Sequence, residues 1–224
     1  MSAAAADEGL RALIGPLAGE LGDTFPTRLA AFRNTAPGPF VAPEDEAIRF
    51  CRHVAEVAHH DQDRRTADFA RLAEGLLWQQ WTHPEDFEGA TAAGGPDPAS
   101  ATPAVPAATA LQEPEAHAPV RSGFLHLKRF RYLPPGYEDA PITGDGVYFL
   151  LFFKVPGKVG DHWPVTRFVA KLVEDCDGDR TVAELSRDYG ERTGRVEELR
   201  ALVHETLQLL ADSGLIRFVR PTPR

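Results

Sequence analysis

From residue 89 to residue 120 the chain reads GATAAGGPDPASATPAVPAATALQEPEAHAPV, a stretch dominated by Ala, Pro and Gly and without one aromatic side chain. Such a segment buries too little apolar surface to offset the entropy of ordering its backbone, so the sequence predicts a disordered linker over 89–120. No other feature limits the fold as much. It divides the chain into a first region, residues 1–88, and a second, residues 121–224, each the size of a small domain.

The first region has helical periodicity. Pro43 followed by Glu44, Asp45 and Glu46 is a helix start, with proline at the first helical position and acids at the positive end of the dipole. Ala47, Ile48, Cys51, Val54 and Ala55 recur at helical spacing behind it, and Phe69, Leu72, Ala73, Leu76 and Leu77 form the stripe of a helix opening near Thr66. Leu10, Leu13, Ile14, Leu17 and Leu21 mark an earlier helix that Gly15-Pro16 should break. FPTRLAAFR supplies a further short one. This is a small bundle with a thin expected core.

In the second region the period changes. FLHLKRFRY and VYFLLFFKV read as strands, and a third is expected around Lys158 to Trp163 after a Pro-Gly turn. Three helices follow, with Gly178, Gly194 and Gly214 as their stops. Between the first two, Thr181 and Glu184 in CDGDRTVAEL have the spacing of a capping box. The fold class predicted is α+β: a small N-terminal helical bundle, the linker, and a C-terminal winged helix-turn-helix of order βββααα.

A helix-turn-helix usually reads DNA, and charge decides against that here. The last helix sets Arg195 and Arg200 against Glu197, Glu198, Glu205 and Asp212, and the one before it sets Arg187 and Arg192 against Glu184, Asp188 and Glu191. From Arg121 onward there are 16 Lys+Arg against 15 Asp+Glu, and residues 1–120 hold 8 against 18. Neither half has the basic excess that grips phosphates. A three-stranded sheet does leave an edge of backbone groups. An extended peptide could pair with it, or the protein could cover it.

The stretch VYFLLFFKVPGKVGDHWPVTRFVAKLVEDCDGDRTVAEL…LLADSGLIRF resembles the precursor-peptide recognition elements of ribosomally made, modified peptides, the family that includes the pyrroloquinoline-quinone peptide chaperone. The likeness covers about residues 121–219. It implies that a precursor's leader adds as a strand beside the third strand and against the third helix. The peptide-binding residues would then be Lys158, Val159, Asp161, His162, Trp163, Leu199, Leu202, Val203 and Thr206. FPTRLAAFR and ADFARLAEGLLWQQW ahead of such an element resemble, more narrowly, the partner proteins of multinuclear non-haem iron oxidative enzymes. There the acid expected straight after ADFARL stands one residue later, at Glu74. The resemblance implies two partners, the leader and an iron-dependent enzyme, with no nucleic acid and no membrane.

Other chemistry is less well supplied. Glu56 and His59 have the i, i+3 spacing of di-iron bundles, but no second such pair occurs in the predicted helices of the first region, so EVAHHDQD reads as a solvated helix end. Cys51 and Cys176 sit on apolar helix faces without a flanking base and read as core thiols. Tyr148, Phe149, Phe152 and Phe153 read as sheet core rather than as an RNA-stacking platform. No apolar run is long enough to span a bilayer, and MSAAAADEGLRAL lacks the basic start of a signal peptide, so a cytoplasmic protein is expected. The sequence predicts no catalytic residue, metal site or cofactor. It predicts a non-catalytic adaptor, with a winged-helix transcriptional regulator and a small metal-dependent oxidase as the rival classes.

Overall fold

Gly15, at φ 42°, and Pro16 break the first apolar stripe where expected: α1 covers Ala3–Ile14, and α2, Pro16–Leu21, restarts with proline in its first turn. The computed structural model describes residues 3–36, 39–81, 105–122, 125–134, 136–154 and 160–221. These divide into two compact units, neither of them one continuous stretch. The first is Met1–Thr82 with Lys128–Phe152 and Val159–Pro164; the second is His83–Leu127 with Phe153–Lys158 and Val165–Arg224. The architecture is mixed α+β with two small antiparallel sheets.

In the first unit a 3-10 turn, Gly22–Thr24, leads into α3, Phe25–Thr35, followed by α4, Pro43–His60, and α5, Arg64–Trp81. Asp63 caps α5 by accepting from the Thr66 N–H at 3.1 Å. The core is not thin, as the sequence suggested. Leu10, Ile14, Leu17, Leu21, Phe25, Leu29, Phe32, Phe50, Val54 and Leu77 are all buried in one cluster. Phe50 meets Phe25 and Phe32 edge-on at 5.8 and 5.5 Å. Aromatic rings from three helices fill the space that short aliphatic stripes alone would leave open.

This unit also holds the three-stranded sheet, of order β2-β3-β4 with β2 Leu125–Phe130, β3 Tyr148–Phe153 and β4 Asp161–Val165. Phe130, Leu150 and Phe152 pack with Leu72 of α5. Phe152 and Phe153 are buried and Tyr148 and Phe149 half-buried, in keeping with a sheet core. Polar bonds fix the register of helix and sheet. The buried Asp68 carboxylate accepts from the Arg131 and Tyr132 N–H groups at 2.7 and 3.0 Å. Lys128 Nζ donates to Glu74 at 2.6 Å and to the Arg71 carbonyl at 3.3 Å, and Arg52 donates to the other Glu74 oxygen. Burial pushes the Glu74 carboxyl up, but Lys128 and Arg52 together hold it below the usual carboxylate range.

The second unit corrects the expected linker. Part of it lies in 82–104, outside the described residues, but 105–121 is folded. It contains α6, Ala107–Gln112, and β1, Ala118–Arg121. β1 pairs antiparallel with β5, Ile216–Val219, with Ala118 opposite Val219 and Arg121 opposite Ile216. On its other side β1 bonds the turn at 176–178: the Arg121 N–H donates to the Cys176 carbonyl and the Gly178 N–H to the Pro119 carbonyl, both at 3.0 Å. Alanine and proline fold here because neighbouring segments take up the backbone groups, an effect that composition does not report.

The helices of this unit are α7, Arg167–Asp175, α8, Val182–Thr193, and α9, Val196–Asp212. α7 ends three residues before Gly178, which serves the turn instead. Its φ is 86°, and a Cβ there would lie 2.8 Å from Val120 Cγ2. The capping box is present in full: Thr181 Oγ1 accepts from the Glu184 N–H, and the Glu184 carboxylate from the Thr181 N–H. Gly194 closes α8 in the left-handed conformation, as expected. Cys51 and Cys176 are free, buried thiols, both pushed up to about 12 by burial, as the core reading required.

Candidate functional site

β4 begins after Gly160, where a Cβ would lie 2.3 Å from the Gln79 carbonyl oxygen, so the strand starts pinned against the end of α5. It ends at Val165, next to Thr166, the N-cap of α7. The strand is therefore short, and it is shifted toward the C-terminus of the expected one. Lys158 and Val159 lie outside the described residues.

Which backbone groups β4 turns outward follows from Pro164. A proline in a sheet faces its nitrogen away from the paired strand, because a ladder donor would otherwise be missing. Residues two apart along a strand point their N–H groups the same way, so His162 also faces the outer edge. The His162 N–H donates to Asp161 Oδ1 at 2.8 Å. Between Asp161 and Val165 the outer edge thus has one N–H, held by the neighbouring exposed carboxylate, and the carbonyls of His162 and Pro164.

The His162 side chain turns inward. Its Nε2 lies 2.6 Å from Tyr137 Oη, and its ring stacks on Phe152 with centroids 5.5 Å apart and planes at 24°. Burial lowers its pKa, against a smaller opposite pull from Asp161, and so favours the neutral ring. Burial likewise raises the Tyr137 phenol. His162 Nδ1 is buried and has no partner among the described residues. Trp163 is half-buried.

The remaining expected peptide-binding residues lie on α9, in the second unit. Leu199 is half-buried and Leu202 is 41% exposed, but Val203 is fully buried and Thr206 nearly so. Those two serve the core and offer no surface to a ligand. The sequence reading missed Leu209, 59% exposed and one heptad beyond Leu202. The i, i+7 spacing could have shown it. It missed Tyr137 and Gln79 as well, and no local pattern marks either.

The acidic character of α9 survives folding: Glu197 and Glu198 are exposed, paired locally with Arg200 and Arg195. The turn ahead of α8 is a charge cluster on Asp175. Its carboxylate accepts from Lys171 and Arg180 at 2.8 Å and from Tyr189 Oη at 2.9 Å. Arg180 also reaches Asp188. This cluster joins α7 to α8 and engages Lys171 and Arg180. At the other tempting motif, His59 and His60 line an open depression with Gln62 and Arg64. Among the described residues no three His, Cys, Asp or Glu side chains gather as a metal site. No described helix is long and apolar enough to cross a membrane.

Comparison with known proteins finds no match to a family model, to a curated protein or to a solved structure.

Proposed function

We propose that this chain is a non-catalytic adaptor that binds the leader of a ribosomally made precursor peptide and presents it to a separate modifying enzyme, an iron-dependent oxidative one on the resemblance given above. The observation that carries the reading is the outer edge of β4. There the Asp161 carboxylate occupies the one outward N–H, and an incoming carbonyl can take its place. His162 would then exchange both of its backbone bonds with one residue of the leader, the unit of an antiparallel pairing. Pro164 ends the pairing and sets its register.

The order of β2, β3 and β4 followed by α7, α8 and α9 is that of the winged-helix recognition elements, which supports the same reading. The exposed leucines of α9, among acids, suit an apolar peptide segment and repel phosphate. The chemistry on the peptide belongs to the partner. The adaptor supplies proximity, holding the substrate at high effective concentration.

Calorimetry with the leader of a candidate precursor peptide tests the proposal. Leu202→Glu is expected to weaken binding about tenfold, the effect of setting a charge where one apolar side chain docks. Asp161→Ala is expected to tighten it, because the His162 N–H no longer has to exchange partners. Unchanged affinity in both variants would place the peptide elsewhere. A steeply salt-dependent complex with duplex DNA, and none with the leader, would make the chain a regulator.

A further inference from the structure

Gln79, in the last turn of α5, is 6% exposed, and its Oε1 is buried with no hydrogen-bond partner among the described residues. Buried carboxamides are almost always bonded, because leaving one unpaired forfeits its hydration without return. The orphan is not isolated. Gly75 and Gln79 stand one helical turn apart on the same face of α5. A Cβ on Gly75 would lie 2.7 Å from the Phe152 ring, and Gly160 packs on the Gln79 backbone. The His162 ring stacks on that same Phe152, two residues along β4 from Gly160. The second orphan, His162 Nδ1, thus belongs to the same layer between α5 and the strands.

Both groups are neutral, which narrows what could satisfy them. A carboxamide offers a donor and an acceptor, and Nδ1 is one or the other according to which way the Tyr137 hydroxyl shares its proton with Nε2. A charged ligand would be desolvated here, and Asp161, the charged neighbour of His162 on β4, is exposed and engaged with the backbone. An amide is neutral and carries one donor set and one acceptor. We propose that Gln79 and His162 form a binding site for a peptide amide, and that an amide of the leader bound at the β4 edge fills it. The identity of that ligand rests on the adaptor reading; the site itself does not.

The test uses the full-length protein and two small amides. N-methylacetamide stands for a main-chain peptide group and propionamide for an Asn or Gln side chain. Titration is followed by nitrogen–proton NMR at the Gln79 carboxamide and the His162 ring. Saturable shifts at both side chains are expected, and the amide giving the tighter curve identifies the source. Gln79→Leu should weaken that amide roughly tenfold, as for loss of a buried hydrogen bond, while Gln80→Leu on the exposed side of the helix should not. Without ligand, Gln79→Leu should melt higher than the wild type, because it removes an unpaired polar group and keeps the volume.

Absence of shifts with either amide, or a lower melting temperature in Gln79→Leu, would overturn the site, since the carboxamide would then be serving the fold. Leader binding that Gln79→Leu leaves unchanged would overturn the site and spare the adaptor reading. Amide binding at Gln79 with no leader binding would keep the site and sink the adaptor reading.

Discussion

Gly75 stands inside an 18-residue helix, where alanine would ordinarily add about 0.5–1 kcal/mol. At this position the added Cβ meets a fully buried ring that has nowhere to move. Gly75→Ala is therefore expected to cost about 1–3 kcal/mol, the usual penalty for overpacking. Gly9→Ala on α1, where a Cβ would meet nothing within 4 Å, should stabilise by about the amount that propensity gives. Thermal melts of the pair read the difference in sign. Asp175 is a second residue with a measurable signature. Burial alone would raise its carboxyl, but the bonds from Lys171, Arg180 and Tyr189 outweigh it and hold the group below the ordinary aspartate value. The unfolded chain thus takes up the proton more readily. The stabilisation is complete above about pH 4, the unfolded aspartate value, and is lost as pH falls through the lower folded value. Asp175→Asn should remove about 2 kcal/mol at pH 7, as for a hydrogen bond to a charged group, and should flatten the acid limb in urea titrations between pH 7 and pH 3.

At the scale of elements, α8 shows what the sequence makes legible and what it does not. Thr181 and Glu184 announce its start, and both halves of the box are made. The next two N–H groups are satisfied from 65 or more residues earlier: Val182 donates to the His117 carbonyl and Ala183 to the Pro114 carbonyl. Nothing in the composition of 113–117 indicates that duty. β1 is a strand because β5 and the 176–178 turn flank it, and at four residues each β1 and β5 are too short for periodicity to report. The attachment of the sheet to α5 depends on Asp68 bonding Arg131, 63 positions away, and pattern within a window cannot carry that. The candidate edge was only half legible. Pro164 is visible in the sequence, but the occupation of the His162 N–H is a matter of one side-chain rotamer. Thr181→Ala should cost about 1 kcal/mol by chemical denaturation, the usual loss of a cap. Hydrogen exchange at Val120 should be as slow as at Arg217, its partner in the antiparallel pair; fast exchange at Val120 alone would show β1 to be loosely held.

For the whole molecule, the interleaving of the two units along the chain sets the main expectation. Residues 1–88 lack the strands of the first unit, and residues 121–224 lack α6 and most of β1. Expressed as separate pieces, each should show the broad proton spectrum of an incompletely folded chain, and mixing the two should sharpen the first unit but not the second, whose α6 and most of whose β1 neither piece carries. On the adaptor reading, the intact protein alone leaves its precursor unchanged and, after chelation, retains no stoichiometric iron. Together with its enzyme it supports modification, and Leu202→Glu lowers turnover mainly at low peptide concentration. Iron that survives chelation and is lost on replacing Glu56 and His59 would favour an oxidase. The interleaving also bears on how the chain is made. A ribosome adding about 5–20 residues per second releases Trp81 roughly 4–17 s before Pro164, the last residue of the first unit. Until β2 and β3 follow within that interval, the newborn α5 has no strand to lay over Leu72 and Leu76. A bare apolar face of this kind, held open by the order of translation, is what holding chaperones bind. The yield of this protein in a cell should depend on them more than its size would suggest.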